Sequence, residues 1–269
     1  MKSGAKTFLG SFVIAFFAFS LIAAIIITLA YSALSSPDPE KKESNLLVVG
    51  LDEGERVFSI TVINVDPIRE TVSFLSIPDN TLIGENQVLQ SLYDSKNVLR
   101  LKGSVETLLG ISISRYMIFT PEKIGKISDR MGSFEYSIKY PFISGDSELV
   151  GTVLMNGKMA RDMFSYQGYD MKKASLSEIG ISYLQSILSK FANEQNIDDL
   201  LAAVLDNGFC GSQYTNLSEE ELQKYASVLR GYPSMLHRNV ELEGEYNETS
   251  ARKYFSPLKI KSDKNIFEK

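Results

Sequence analysis

The side chains able to do chemistry in this 269-residue chain are few, and most stand apart from one another. His237 is the only histidine, in PSMLHRN, and Cys210 the only cysteine, in DNGFCG. A histidine with no partner beside it is read as structural. A single cysteine excludes an internal disulfide, and in its setting it reads as a small packed residue rather than a nucleophile. No Cys/His cluster has the spacing of a zinc site, and no glycine-rich loop is built to cradle phosphate. What remains is a set of charged and amide side chains: Asp52 and Arg56 in one turn, Asp79 and Asn80 in a second, with Arg161 and Lys173 further along. Arginine and lysine are the groups that clamp phosphate, arginine by a bidentate fork. These six residues are the candidate pocket, although each base on its own reads equally as a solvated surface charge.

The elements that must position them begin with an apolar segment. From Thr7 to Ser36 there is no charge, and residues 8–34, FLGSFVIAFFAFSLIAAIIITLAYSAL, are almost wholly apolar. At about 1.5 Å per residue they span roughly 40 Å, enough to cross a hydrocarbon core of about 30 Å with some tilt. The expectation is one N-terminal transmembrane helix acting as a signal anchor. Cleavage within AYSALSS is the alternative. Lys2 and Lys6 precede the span, so the positive-inside bias places residues 1–7 in the cytoplasm and everything beyond residue 35 outside. Residues 35–44, rich in proline and charge, form a linker.

The outer part carries 26 bases against 33 acids once Lys2 and Lys6 are set aside. That balance argues against nucleic acid, which needs basic surface. Its elements read as mixed. Residues 45–50, 57–65 and 71–77 are three strands joined by polar turns. Residues 97–110 have helical spacing and stop at Gly110. Residues 116–119 are a buried strand. Thr120 caps a helix that starts at Pro121 and ends at Gly132. Strands follow at 134–142 and 149–155, a short turn at 157–164, and helices at 175–194, 197–205 and 218–229. The expected class is α/β (α+β), a mixed central sheet covered by helices, in a domain spanning 45–238. Residues 239–269 read as an irregular tail with one short strand.

Three pieces of the outer domain resemble the LytR-CpsA-Psr family, also called cell envelope-related transcriptional attenuator domains. They are INVDPIRETVSFLSIPDNT (63–81), LLGISISRYMIFTPEKIGKISDRMG (108–132) and LMNGKMA (154–160). The resemblance implies an extracytoplasmic protein of cell wall biogenesis acting on polyprenyl-pyrophosphate-linked sugars. Such a site needs basic clamps and a carboxylate-held cation such as magnesium. The family's charged positions are mostly unmatched. Its Arg-x-Asp-Thr step aligns with Phe58-Ser59-Ile60-Thr61, and its Arg-Asp with Asp79-Asn80. Its later Arg-x-Arg falls near Phe164-Ser165-Tyr166-Gln167, and its last arginines near Lys173 and Leu176.

The resemblance therefore implies a divergent member with no catalytic residue assigned, no metal and no cofactor. Its partners would be membrane lipid, with a polyprenyl-phosphate carrier as candidate, or an unidentified protein. An active phosphotransferase attaching a glycopolymer, with magnesium, is the first alternative. An unrelated extracytoplasmic sensor or structural domain is the second.

Overall fold

A strand-forming sequence from Ser44 onward builds the centre of the molecule. The computed structural model describes residues 44–66, 69–84, 87–93, 97–169, 176–191, 213–219, 236–248, 253–258 and 266–268. The expected transmembrane span at 8–34, the helix at 197–205 and all but the first two residues of the helix at 218–229 lie outside these residues. Among the described residues, no helix is long and apolar enough to cross a membrane.

Strands β1 (Ser44–Leu51), β2 (Val57–Asp66) and β3 (Thr71–Ile77) pair antiparallel in sequence order, as their alternation predicts. The sheet is completed by two parallel strands, β6 (Arg115–Phe119) beside β1 and β9 (Leu236–Glu241) beside β3. The order is β6-β1-β2-β3-β9, a mixed sheet. Two short strands, β4 (Leu82–Ile83) and β5 (Gln87–Val88), pair after the β3 end. Long hairpins form from β7 (Phe134–Ser144) with β8 (Ser147–Met155), and from β10 (Gly244–Glu248) with β11 (Lys253–Pro257).

Four helices are described. Helix α1 (Leu99–Leu109) ends at Gly110, whose left-handed φ of 68° lets its N–H reach the Glu106 carbonyl. Helix α2 (Pro121–Met131) has Thr120 as its N-cap and Pro121 in its first turn, as the local sequence predicts. Helices α3 (Gly157–Ser165) and α4 (Leu176–Phe191) follow.

Period-two alternation gives the sheet two faces with different jobs. One turns Leu47, Val49, Leu51, Ile60, Val62, Leu75 and Ile77 into a core shared with Leu101, Val105 and Leu109 of α1. The other turns Ser59, Thr61, Phe74 and Ser76 toward α4, and this smaller, more polar face borders the cavity described below. At the β1 N-terminal end, the Asn64 side chain donates to Asn45 at 2.8 Å, and Asn45 donates to the Ser112 carbonyl at 2.9 Å. Both asparagines are buried, so truncating one strands the other. Asn64→Ala is expected to cost about 1–3 kcal/mol, read as a lower thermal midpoint with no change in any ligand affinity.

The C-terminal region departs from expectation. The described residues of 239–269 hold more strand than the one short strand expected: β9 runs across the expected boundary at 238, and β10 and β11 follow it. These strands are largely polar and exposed, so they carry no alternating apolar signal. The pairing of β9 with β3, that of β10 with β11, and the contact of Phe255 with Thr81 hold them.

Candidate functional site

The ends of β1, β3, β6 and β9 and the start of β2 lie together at one end of the sheet, because Gly50 pairs with both Ser59 and Phe119, Ile60 with Ile77 and Ser76 with Glu241. Two of the candidate turns are there. In the first, Asp52 is buried and accepts backbone N–H bonds from Gly54 at 2.8 Å and Arg56 at 2.9 Å. The Arg56 guanidinium donates to the same carboxylate at 2.8 Å through Nε and lies 2.7 Å from it through a terminal nitrogen. Burial pushes the Asp52 carboxyl up, but the bonds and charge of Arg56, with Gly54, outweigh it and hold the group below the usual range. Asp52 and Arg56 are therefore brought together, as a turn lock. The turn also touches α3, where Ser165 donates to Glu53 at 3.0 Å.

The second turn is fixed by its backbone. Thr81 is fully buried and donates from its hydroxyl to the Pro78 carbonyl at 2.6 Å. The Asp79 carbonyl accepts from Gln90 at 2.9 Å, and the Asn80 carbonyl accepts from Phe255 at 3.1 Å. The Asp79 side chain is half-buried, and burial pushes its carboxyl up to about 6 despite bonds from the backbone N–H groups of Asn80 and Asp79. Tyr246 is its neighbour: burial, and then the Asp79 charge, raise that phenol.

The raised Asp79 value has a stability consequence. Its folded value lies above its unfolded one, so the neutral form fits the fold and stability is highest below about pH 4 for this group. That contribution is lost as pH rises through about 6. Asp79→Asn should leave stability unchanged near pH 4 and raise it by about 1–2 kcal/mol at pH 8, measured by urea unfolding at both values.

The remaining candidates lie apart from these turns. Arg161 sits on α3, where its Cβ faces Gly125 of α2, and a guanidinium nitrogen lies 3.8 Å from Asp162. Lys173 lies outside the described residues. The positions set against the family's first charged step carry packing residues. Ile60 is fully buried in the α1-side core, and Phe58 sits at a bulge with its ring 6.1 Å from that of Phe164. Neither position opens on a site. Ser59 and Thr61 are the β2 residues that face α4.

A cavity of about 610 Å³ lies on this side of the sheet between α4 and the β3–β9 edge, with residues of β10 and β11 contributing to its lining. Phe74, Ile181, Val240, Leu242 and Phe255 supply its apolar lining, and Ser76, Ser182, Gln185 and Asn239 its neutral polar groups. Among the described residues, two carboxylates line it, Glu178 and Glu241, and no arginine or lysine does. Glu178 is engaged by Lys139 and accepts from the Tyr140 hydroxyl at 2.6 Å. The sequence reading gave residues 239–269 only one short strand, so it did not place β9 and the β10–β11 hairpin beside this wall. Among the described residues, no group of three His, Cys, Asp or Glu side chains could hold a metal. Asp52 spends its oxygens on Arg56 and Gly54, and Asp79 has only an amide beside it in sequence, so these residues do not fit a magnesium site.

No family model matches the sequence, and no curated protein does. Solved structures do. The crystal structure of B. subtilis TagV matches with a TM-score of 0.62 at 18% identity, over 81% of this chain and 91% of that one. The LytR-CPS2A-Psr family protein YwtF (TagT) with bound octaprenyl pyrophosphate lipid matches at 0.61 and 15% identity, over 84% and 88%. TagT bound to LI-WTA gives a TM-score of 0.62 at 16% identity, over 84% and 88%. This chain has the LytR-CPS2A-Psr fold.

Within the LytR-CPS2A-Psr fold, two of the sequence pieces that carried the resemblance turn out to meet. Asp129, from the end of the second piece, accepts the N–H of Gly157, from the third, at 2.9 Å. Asn156 caps the same helix by accepting from Met159 at 2.9 Å. These motif residues join α2 to α3, which is a structural task.

Proposed function

We propose that this chain is a membrane-anchored, extracytoplasmic cell-envelope protein of LytR-CPS2A-Psr type, which binds a polyprenyl-linked precursor in the α4–β3–β9 cavity without transferring phosphate. Its short N-terminus would lie in the cytoplasm and its folded part outside, held by the apolar segment at 8–34. One observation carries the reading: a partly apolar cavity of about 610 Å³, within the range of small-molecule sites, is lined by no base among the described residues. A chain that moved a pyrophosphate-linked group would need positive groups at that charge. Among the six candidates, Arg56 is committed to Asp52 and Arg161 projects from α3 beside Asp162. The fold supports the envelope reading because a structure of the same fold holds octaprenyl pyrophosphate lipid.

The test uses the full chain in nanodiscs with a polyprenyl-pyrophosphate-linked glycan, a peptidoglycan acceptor and magnesium. The expected result is saturable retention of the lipid with no glycan transfer or phosphate release above a protein-free control. Metal-dependent turnover would make the chain a working phosphotransferase and end the binding-only reading.

A further inference from the structure

Alternation along β7 turns Phe134, Tyr136 and Ile138 inward, and the first two pack on the Tyr183 ring of α4. The opposite face of the β7–β8 hairpin carries Ile143 of β7 and Glu148, Val150, Thr152 and Leu154 of β8, all exposed. Ile143, Val150 and Leu154 are 43%, 60% and 62% exposed, so this face keeps apolar surface in water that the core does not take. Strand β8 is also an edge. It pairs with β7, and among the described residues no other strand lies beside it. Edges are ordinarily blunted by lysine, proline or an inward charge. Ser147–Met155 has none of these, and its one charge is the outward Glu148.

The strand fits a second copy of itself. A two-fold antiparallel pairing sets residue i opposite j and j opposite i. Centred on Thr152, it places Thr152 opposite its mate, Val150 opposite Leu154 and Glu148 opposite the amide Asn156. The two Glu148 carboxylates then stand roughly 27 Å apart, eight positions at about 3.4 Å each, well beyond the screening length. Centring on Val150 or Gly151 would set an acid, Asp146 or Glu148, against Leu154, and centring on Val153 would set Val150 against Asn156. A charged peptide finds no charge cluster on β8 to recognise. We propose that β8 pairs with the β8 of a second copy of this chain, joining two hairpins into a four-stranded antiparallel sheet with Val150 and Leu154 packed against each other across the axis. Ladder bonds and these cross-strand pairs hold it. One strand pair buries less than the about 1,200 Å² of a standard interface, so the dimer exchanges and its occupancy rises with concentration.

The experiment is disulfide trapping of the full chain in dodecyl maltoside micelles with copper–phenanthroline, in a Cys210→Ser background. The thermal midpoint of each variant checks that these exposed substitutions leave the fold unchanged. Thr152→Cys, its Cβ about 4.5–5.5 Å from that of its mate, should be trapped as a dimer at least about tenfold faster than Val150→Cys or Leu154→Cys alone. Those two positions lie roughly 13 Å along the strand from their own mates, but a mixture of the two variants should cross-link. Adding Val150→Lys and Leu154→Lys to Thr152→Cys sets like charges opposite one another and should slow trapping about tenfold with no change in midpoint. Equal trapping at all three positions, a mixture no faster than either variant alone, or trapping that survives the lysines overturns the pairing. No trapping at any position also overturns it and leaves the edge to another partner or to solvent. None of these outcomes bears on the lipid-binding reading of the cavity.

Discussion

Gly157→Ala should destabilise the folded domain by about 3 kcal/mol or more, seen as a large fall in the urea midpoint. An added Cβ there would stand 2.2 Å from the Asp129 carboxyl and 2.3 Å from the Gly125 carbonyl oxygen. One of these neighbours is backbone, so no rotamer change relieves it. The cost falls on the α2–α3 crossing, where Gly125 and Gly157 let the helices approach closely. Asp129→Ala in the same chain should recover only part of the loss, because the contact with Gly125 persists, and it also removes the bond to the Gly157 N–H. Gly125→Ala is the milder control: its Cβ would meet the Gly157 carbonyl at 2.9 Å, and about 1–3 kcal/mol is expected. These glycines matter to the fold, so the loss should be the same in the presence and absence of any prenyl ligand.

Restoring charge at the strand positions first compared with the family should fail for a different reason. Ile60→Asp would place a carboxylate at a side chain with 0% exposure, among Val49, Val62 and Leu75. An unpaired buried charge together with the lost packing is expected to cost about 4 kcal/mol or more, against a total stability of about 5–15 kcal/mol for an ordinary domain. The chain should lose its cooperative thermal transition and its near-ultraviolet tyrosine signal at neutral pH. Acid should restore part of both, because protonation removes the charge. Asp79→Arg, by contrast, alters a half-buried turn at the cavity edge and should leave the fold cooperative. The contrast separates core positions from site positions on the same face-end of the sheet.

How much of this could be read in the sequence follows from the range of each interaction. Helix α2 was legible almost to the residue, because Thr120, Pro121 and Gly132 specify its ends by local chemistry. The β1–β2–β3 meander was legible because buried alternation fixes its register. The lock between Asp52 and Arg56 is also local, four positions apart, although the same pair reads equally as two free site charges until the bonds are seen. Strand β9 was not legible: Leu236–Glu241 is a mostly exposed edge whose partner is β3, far away in the chain. The cavity was hidden for the same reason, since Ser76, Gln185, Asn239 and Phe255 come from four separate elements. The raised Asp79 carboxyl depends on burial created by the C-terminal hairpin, which no local pattern announces.

The envelope reading therefore stands on a cavity assembled by distant segments, and on the charges that line it. Photo-cross-linking tests it most directly. The full chain in nanodiscs is irradiated with a diazirine-bearing prenyl alcohol, and adducts are located by peptide mass spectrometry. The account predicts adducts on α4 and β9, at residues such as Ile181, Gln185 and Val240, competed away by unlabelled farnesol and lost in Ser76→Trp. Adducts confined to the exposed face of β8, or spread without competition over the surface, would contradict it.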